Sequence, residues 1–234
     1  MKTIGLIGGM SWESTIPYYR IINQTVQARL GGLHSAKLVL YSVEFHDIER
    51  LQSQGAWPEA GKAMAQAGLA MQAAGADFLV LCTNTMHKVA EDLEQAVAIP
   101  LLHIVDPTAE AIVRLGLEQV GLLGTRFTME EDFYRGRLQD RYGLKVLVPS
   151  LAERETLHRI IFDELCQGKV LPPSRSRVRE VIQHLADAGA QGIILGCTEL
   201  SLLVDPGEAP VPLFDTTRLH ALCAAEQALA PVRP

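Results

Sequence analysis

Two short segments of this 234-residue chain carry side chains suited to moving protons, Cys82-Thr83-Asn84-Thr85 and Gly196-Cys197-Thr198-Glu199. They share one register. Residues 74–85, AGADFLVLCTNT, lie over residues 188–199, AGAQGIILGCTE, without a gap, which sets Thr83 opposite Cys197 at an offset of 114 (197 − 83). A second echo joins IGLIGGM, from Ile4, to VGLLGTR, from Val120, at the offset 116 (120 − 4). Two copies of one unit, folded to face each other, can bring equivalent strand ends to opposite sides of one substrate carbon. Such a cleft suits inversion of a stereocentre. Cys197 follows Gly196 at a strand end, where a helix N-terminus opening with Thr198 would lower its pKa from about 8.5 and make the thiolate a usable base. Cys82, Cys166 and Cys223 read instead as small buried hydrophobes.

Other loops could hold a small zwitterion with carboxylates. Asn84, Thr85, Thr125 and Thr128 supply hydroxyl and amide donors, although Thr85 and Thr128 suit helix capping equally well. Arg126 offers a guanidinium fork for a carboxylate or a surface ion pair. Gly8-Gly9-Met10-Ser11 precedes a helix that Ser14 or Thr15 would cap and whose first turn Pro17 would suit; its amides could cradle an anion, or the segment is a plain tight turn. Met10 and Gln52 are candidate pocket walls. Glu199 either orients the Cys197 loop or is an acidic residue at a helix start. His87 is read as a structural hydrogen-bonding group in preference to a proton relay, and Asp106 and Asp215 as helix caps.

These residues need a frame that ends strands side by side. Apolar, β-branched-rich runs at Thr3–Ile7, Lys37–Ser42, Phe78–Cys82, Leu101–Val105, Val120–Leu123, Lys145–Val148, Gly192–Leu195 and Val211–Phe214 read as strands. Helical patterns lie between them at Pro17–Leu30, Trp57–Ala74, Met86–Val97, Thr108–Leu115, Glu130–Tyr142, Glu153–Gln167 and Arg175–Ala188. The alternation predicts an α/β fold of two pseudo-symmetric, flavodoxin-like parallel-sheet halves, with ligands beyond the carboxyl ends of the strands and the active site in the cleft between the halves. The expected division is 1–105 plus 214–234 for the first half and 106–213 for the second.

Composition narrows the partners. A net charge of −6 and a pI near 5.6 oppose nucleic acid and anionic membranes. Arg175, Arg177 and Arg179 read as a solvated helix start. No apolar run approaches the roughly 18 residues of a membrane span, and MKTIGLIGGM reads as a buried first strand rather than a signal core. The four cysteines show neither metal nor disulfide spacing, so reduced thiols in a cytoplasmic protein are expected, with no metal.

Together, IGLIGGM, CTNTMH at 82–87, LLGT at 122–125 and GCTEL at 196–200 resemble the cofactor-independent aspartate/glutamate racemase superfamily along nearly the whole chain. The resemblance implies two α/β halves, often a homodimer, and two cysteines acting as opposed acid and base without pyridoxal phosphate or another cofactor. The first of those cysteines would immediately precede Asn-Thr. Thr83 stands there, as in the L-aspartate/glutamate-specific subgroup, while Cys82 is one residue early and faces the other way. Cell-wall glutamate racemases typically start with Asp-Ser-Gly and carry Cys-Thr-His at the second site, so Gly8-Gly9-Met10 and Cys197-Thr198-Glu199 look more like the aspartate branch. That branch commonly has an arginine after strand two and a lysine in a later helix, where this chain reads EFHDIER and ELCQGK.

The resemblance therefore implies an acidic-amino-acid racemase with Cys197 and Thr83 catalytic, and with Met10, Gln52, Asn84, Thr85, Thr125, Arg126, Thr128, Thr198 and Glu199 around the substrate. A single-cysteine decarboxylase or cis-trans isomerase, and an amino-acid-binding protein that has lost catalysis, are the alternatives.

Overall fold

The computed structural model describes residues 1–231. The chain forms two compact units, 1–104 with 220–231, and Val105–Leu219.

In the first unit the elements are β1 (Ile4–Gly8), α1 (Trp12–Leu30), β2 (Leu38–Ser42), α2 (Phe45–Ser53), α3 (Trp57–Ala73), β3 (Phe78–Leu81), α4 (Ala90–Ala96) and β4 (Leu101–Leu102). The strands form a parallel sheet in the order β2-β1-β3-β4. Strand alternation sorts its side chains between two layers. Ile7, Leu79 and Leu81 pack with Met64, Ala67 and Leu93 from α3 and α4. Ile4, Leu6, Phe78, Val80 and Cys82 pack on the other face with Tyr18, Ile22 and Val26 of α1 and with the C-terminal alanines Ala221, Ala224, Ala225 and Ala228. Both faces of the strands are thus covered, which is why β1 and β3 read as continuous apolar runs.

The second unit runs α5 (Val105–Arg114), β5 (Gln119–Gly124), α6 (Arg126–Glu130), α7 (Asp132–Tyr142), β6 (Lys145–Leu147), α8 (Leu151–Arg159), α9 (Pro172–Asp187), β7 (Ile193–Gly196) and β8 (Leu213–Asp215). Its parallel sheet has the corresponding order β6-β5-β7-β8. The duplication is exact in register: Gly5 pairs with Leu79 in the first sheet, and Gly121 with Ile193 in the second, the same offsets of 116 and 114 that align the sequence. Both orders match the start of a flavodoxin-like sheet.

Several expectations need correction. The segment 214–219 belongs to the second unit, because Leu213–Asp215 pairs with Ile193–Leu195 as a strand; the last helix, α10 (Thr216–Leu229), begins there and joins the first unit only from His220. The first helix starts at Trp12 with Ser11 as N-cap, so Ser14 and Thr15 are already helical and Pro17 lies inside the helix. The expected helix from Glu130 to Tyr142 is two, separated by Glu131, whose extended backbone breaks the helical run. Helix α2 escapes the sequence pattern because it is short; Glu44 starts it by accepting the His46 N–H. No described helix is long and apolar enough to cross a membrane.

Candidate active site

In the second unit β5 and β7 end on paired glycines. A Cβ on Gly124 would lie 2.8 Å from the Gly196 carbonyl oxygen, and one on Gly196 would lie 2.7 Å from the Leu123 oxygen. Only glycine permits that approach, and it brings the loops carrying Thr125 and Cys197 side by side. Thr125 caps α6, its hydroxyl accepting the Thr128 N–H at 3.3 Å and lying 3.2 Å from the Thr128 hydroxyl. The cap is therefore Thr125; Thr128 lies inside α6 and does not cap it. Arg126 is exposed; its guanidinium lies 5.6 Å from the Phe127 ring, and its backbone N–H donates to His158. Burial, reinforced by the Arg126 charge, holds the His158 pKa below its ordinary value.

Cys197, Thr198 and Glu199 are all buried. The Cys197 thiol donates to Glu199 Oε2 at 3.2 Å, and the Thr198 hydroxyl donates to the same oxygen at 2.5 Å. Cys166 Sγ donates to the other oxygen, Oε1, at 3.7 Å. This overturns the expected acidity of Cys197. Burial pushes the thiol well above its ordinary value, and the Glu199 and Cys166 charges push the same way, outweighing the Glu199 backbone N–H that points at the sulfur. The helix N-terminus invoked from the sequence is only a 3₁₀ turn, Leu200–Leu202, too short to build a dipole. Burial beside a carboxylate thus favours the protonated thiol.

In the first unit Gly9 turns the chain at φ 89°, with space for a Cβ closed by the Val43 oxygen at 2.6 Å. Its N–H donates to Thr15 Oγ1, and the Thr15 and Ser14 hydroxyls donate to the Ser11 oxygen. That amide is consumed internally, which weakens the anion-cradle reading of this loop. Thr83, Asn84 and Thr85 follow β3, all buried. A 3₁₀ turn, Thr85–Val89, succeeds them. His87 Nε2 accepts the Ile104 N–H at 3.2 Å, which leaves the Nδ1 proton to donate to the Thr83 oxygen at 2.7 Å. Its structural role is the one expected. Met10 is buried, and buried Gln52 donates from Nε2 to Met86 Sδ at 3.0 Å, while its Oε1 has no hydrogen-bond partner.

A sequence profile described as Asp/Glu/Hydantoin racemase matches residues 7–224. The chain belongs to that family. A crystal structure of a candidate Asp/Glu racemase from Yersinia pestis is 56% identical, covers 98% of this chain and 100% of its own, and superposes with a TM-score of 0.91. An aspartate racemase homologue from Pyrococcus horikoshii OT3 is 36% identical over 98% of this chain and 100% of its own, with a TM-score of 0.83. The broad specificity amino-acid racemase RacX of Bacillus subtilis (strain 168) is 24% identical over 97% of this chain and 98% of its own.

Within this racemase-family fold, each unit gathers its own share of the predicted residues: Met10, Gln52, Thr83, Asn84 and Thr85 in the first; Thr125, Arg126, Thr128, Cys197, Thr198 and Glu199 in the second. Cys82 is excluded by the strand alternation. It shares a face with Phe78 and Val80, its thiol donates to the Val80 oxygen at 3.7 Å, and burial drives its pKa far up. Asp215 caps α10 by accepting the Arg218 N–H, whereas Asp106 accepts from Nε and Nη2 of Arg137, at 2.7 and 2.6 Å. Arg177 and Arg179 pair with Glu180 and Glu208, which fits a solvated helix start.

Two features carried too little sequence signal to be found. The buried cluster His87, His103 and His220 assembles residues from distant segments: the His87 and His103 ring centres are 4.4 Å apart, those of His87 and His220 6.1 Å, and Tyr18 Oη bonds His220. Cys166, read as a filler, sits against Glu199; only its place in ELCQGK marked the neighbourhood. Among the described residues, no group of three or more His, Cys, Asp or Glu side chains could hold a metal ion.

Proposed function

We propose that the protein is a cofactor-independent racemase of acidic amino acids, acting on L-aspartate or L-glutamate in the cytoplasm as a homodimer. The observation that carries this reading is the buried Cys197 thiol set against the Glu199 carboxylate at the end of β7, in a chain of the racemase family. Cys197, once deprotonated, removes the α-proton. Thr83, at the equivalent place of the other repeat, serves the return of a proton, relaying it from water because a hydroxyl is a poor base at neutral pH. Asn84, Thr85 and Thr125 bind the amino acid and preorganise donors for the negative charge that develops on removal of the α-proton. Met10 and Gln52 line the pocket, and Arg126, Thr128 and Thr198 complete its rim.

Two free enantiomers have equal free energy, so the asymmetry between thiol and hydroxyl leaves kcat/KM equal in both directions and divides kcat and KM instead. Turnover is slow, because an ineffective general acid or base costs about 10²–10⁴-fold. Thr83 also favours a second reading, a decarboxylase or isomerase needing one thiol, which turnover of a malonate or maleate without amino-acid exchange would select. An exposed apolar strip on α1, the loop after it and the edge strand β2, with Trp12, Ile16, Tyr19, Leu33 and Leu40, supports the dimer, and its mass in solution tests it.

The test is NMR of L-aspartate and L-glutamate incubated in D₂O with the protein and with Cys197→Ser, followed by chiral analysis. Exchange with D-isomer, lost in the variant, is the expected result. No exchange of either amino acid by the unaltered protein overturns the reading.

A further inference from the structure

Cys197 presents a chemical contradiction. A base must be deprotonated to accept a proton, yet this sulfur is buried beside a carboxylate, an environment that favours the neutral thiol. The geometry of the cluster resolves it. The groups around the Glu199 carboxylate are distributed one thiol to each oxygen: Cys197 with Thr198 on Oε2, and Cys166, from the 3₁₀ turn Leu165–Gln167 that follows α8, on Oε1. Both thiols are titratable groups in contact with the carboxylate, Cys197 from the loop after β7 and Cys166 from the 3₁₀ turn.

We propose that Glu199 is the proton acceptor that converts the Cys197 thiol into the working thiolate, and that Cys166 is a positioning residue that holds the acceptor carboxylate in place. The step balances without another reactant. The S–H bond of Cys197 breaks, its electron pair stays on sulfur, and the proton forms an O–H bond at Glu199 Oε2. The cluster carries one negative charge before and after, so the transfer moves a charge by one hydrogen bond instead of creating a second one in a buried place. The Glu199 backbone N–H, directed at the sulfur, then stabilises the thiolate it has helped to make. A thiol losing its proton directly to solvent would leave thiolate and carboxylate side by side, at the cost that like charges impose.

The proposal rests on the racemase reading for its purpose but is tested without an amino acid. Iodoacetamide is reacted with the free protein across the range from about pH 6 to about pH 8, and alkylation of Cys197 is followed by mass spectrometry of its peptide, so the other three cysteines do not interfere. A proton shared inside the cluster makes the reactive form a constant fraction, and the rate should change less than about twofold across that range. In Glu199→Gln the thiol ionises only against solvent, and the rate should climb about tenfold per pH unit. Glu199→Asp should keep a flat profile at a lower rate. Cys166→Ala should keep it flat with a rate altered by about threefold or more, because the acceptor is less well held.

A tenfold rise per unit in the unaltered protein overturns the acceptor role whether or not any variant folds. A flat profile retained in a folded Glu199→Gln, by circular dichroism, overturns it too. An unchanged rate in Cys166→Ala removes the positioning role. Failure of the D₂O experiment with a flat profile here would sink the substrate assignment and leave this proton transfer standing.

Discussion

The two halves of the molecule share a sheet order and a register but not a chemistry, and the difference is concentrated at the strand ends. Where the first half has Gly9, the second has Thr125; where the first has Cys82-Thr83, the second has Gly196-Cys197. In the first, glycine lets the turn press against Val43, and the loop after β3 is fastened through its backbone, with His87 holding the Thr83 carbonyl. In the second, paired glycines draw two loops together, and the fastening runs through side chains on the Glu199 carboxylate. A shift of one residue along a strand decides the fate of a cysteine: Cys82 is core, and Cys197 is beside a carboxylate. A duplicated frame can therefore keep its scaffold positions and specialise its loops separately.

Substitutions break or sharpen that contrast, the largest effect being expected at Cys197. Cys197→Ser should reduce α-proton exchange by about 10²–10⁴-fold, while Cys82→Ser leaves exchange unchanged; the NMR measurement compares them directly, and equal losses would end the distinction between the two cysteines. Gly9→Thr, which gives the first half the residue of the second, should cost at least about 2 kcal/mol in urea unfolding, because the left-handed φ and the Val43 oxygen both oppose a side chain. Thr125→Gly, the reverse exchange, should cost only a few tenths of a kcal/mol in the same assay, since its loss is a single cap.

Arg137→Ala should cost about 1–3 kcal/mol by leaving Asp106 half-buried without its partner. Although burial raises the Asp106 pKa, the Arg137 bonds and charge lower it further, for a net downward shift. The stabilisation it gives is thus complete above its unfolded value of about 4 and lost as pH falls through the lower folded value. The gap in Tm between the protein and Asp106→Asn should be present at neutral pH and close in acid; a gap that persisted there would remove the ion pair as its cause. Thr83→Cys, which makes the halves chemically alike, should raise turnover by about tenfold if the hydroxyl limits reprotonation.

The frame was legible in the sequence because it is written in patterns that survive without neighbours. Eight apolar runs became eight strands among the described residues, and the repeat offsets became sheet register. Boundaries failed where tertiary bonds decide them: Leu213–Asp215 is claimed for the second sheet by pairing with Ile193–Leu195, and the first helix begins five residues before Pro17, at Trp12. In the candidate site, Cys197, Thr83 and Glu199 were marked by the repeat and by resemblance. The direction of the Cys197 pKa was not. Sequence placed a helix beyond it but gave no means of seeing that the helix is one 3₁₀ turn, or that Glu199 and Cys166 converge on it from 2 and 31 residues away. The histidine cluster was invisible for the same reason, since its members come from β3's loop, the β4 exit and the last helix.

The last helix gives synthesis an order. Val105–Leu219 is continuous in sequence, whereas the layer over Tyr18, Ile22 and Val26 is completed only by Ala221, Ala224, Ala225 and Ala228, and the second residue of the chain donates its Lys2 N–H to the Ala228 oxygen. On a ribosome that adds residues from the N-terminus, the half begun first is the half finished last. The chain therefore emerges with one face of its opening sheet covered by α1 alone until the alanines of α10 leave the exit tunnel. A chain truncated after Leu219 and released should be cut by protease within α1 while its second unit resists.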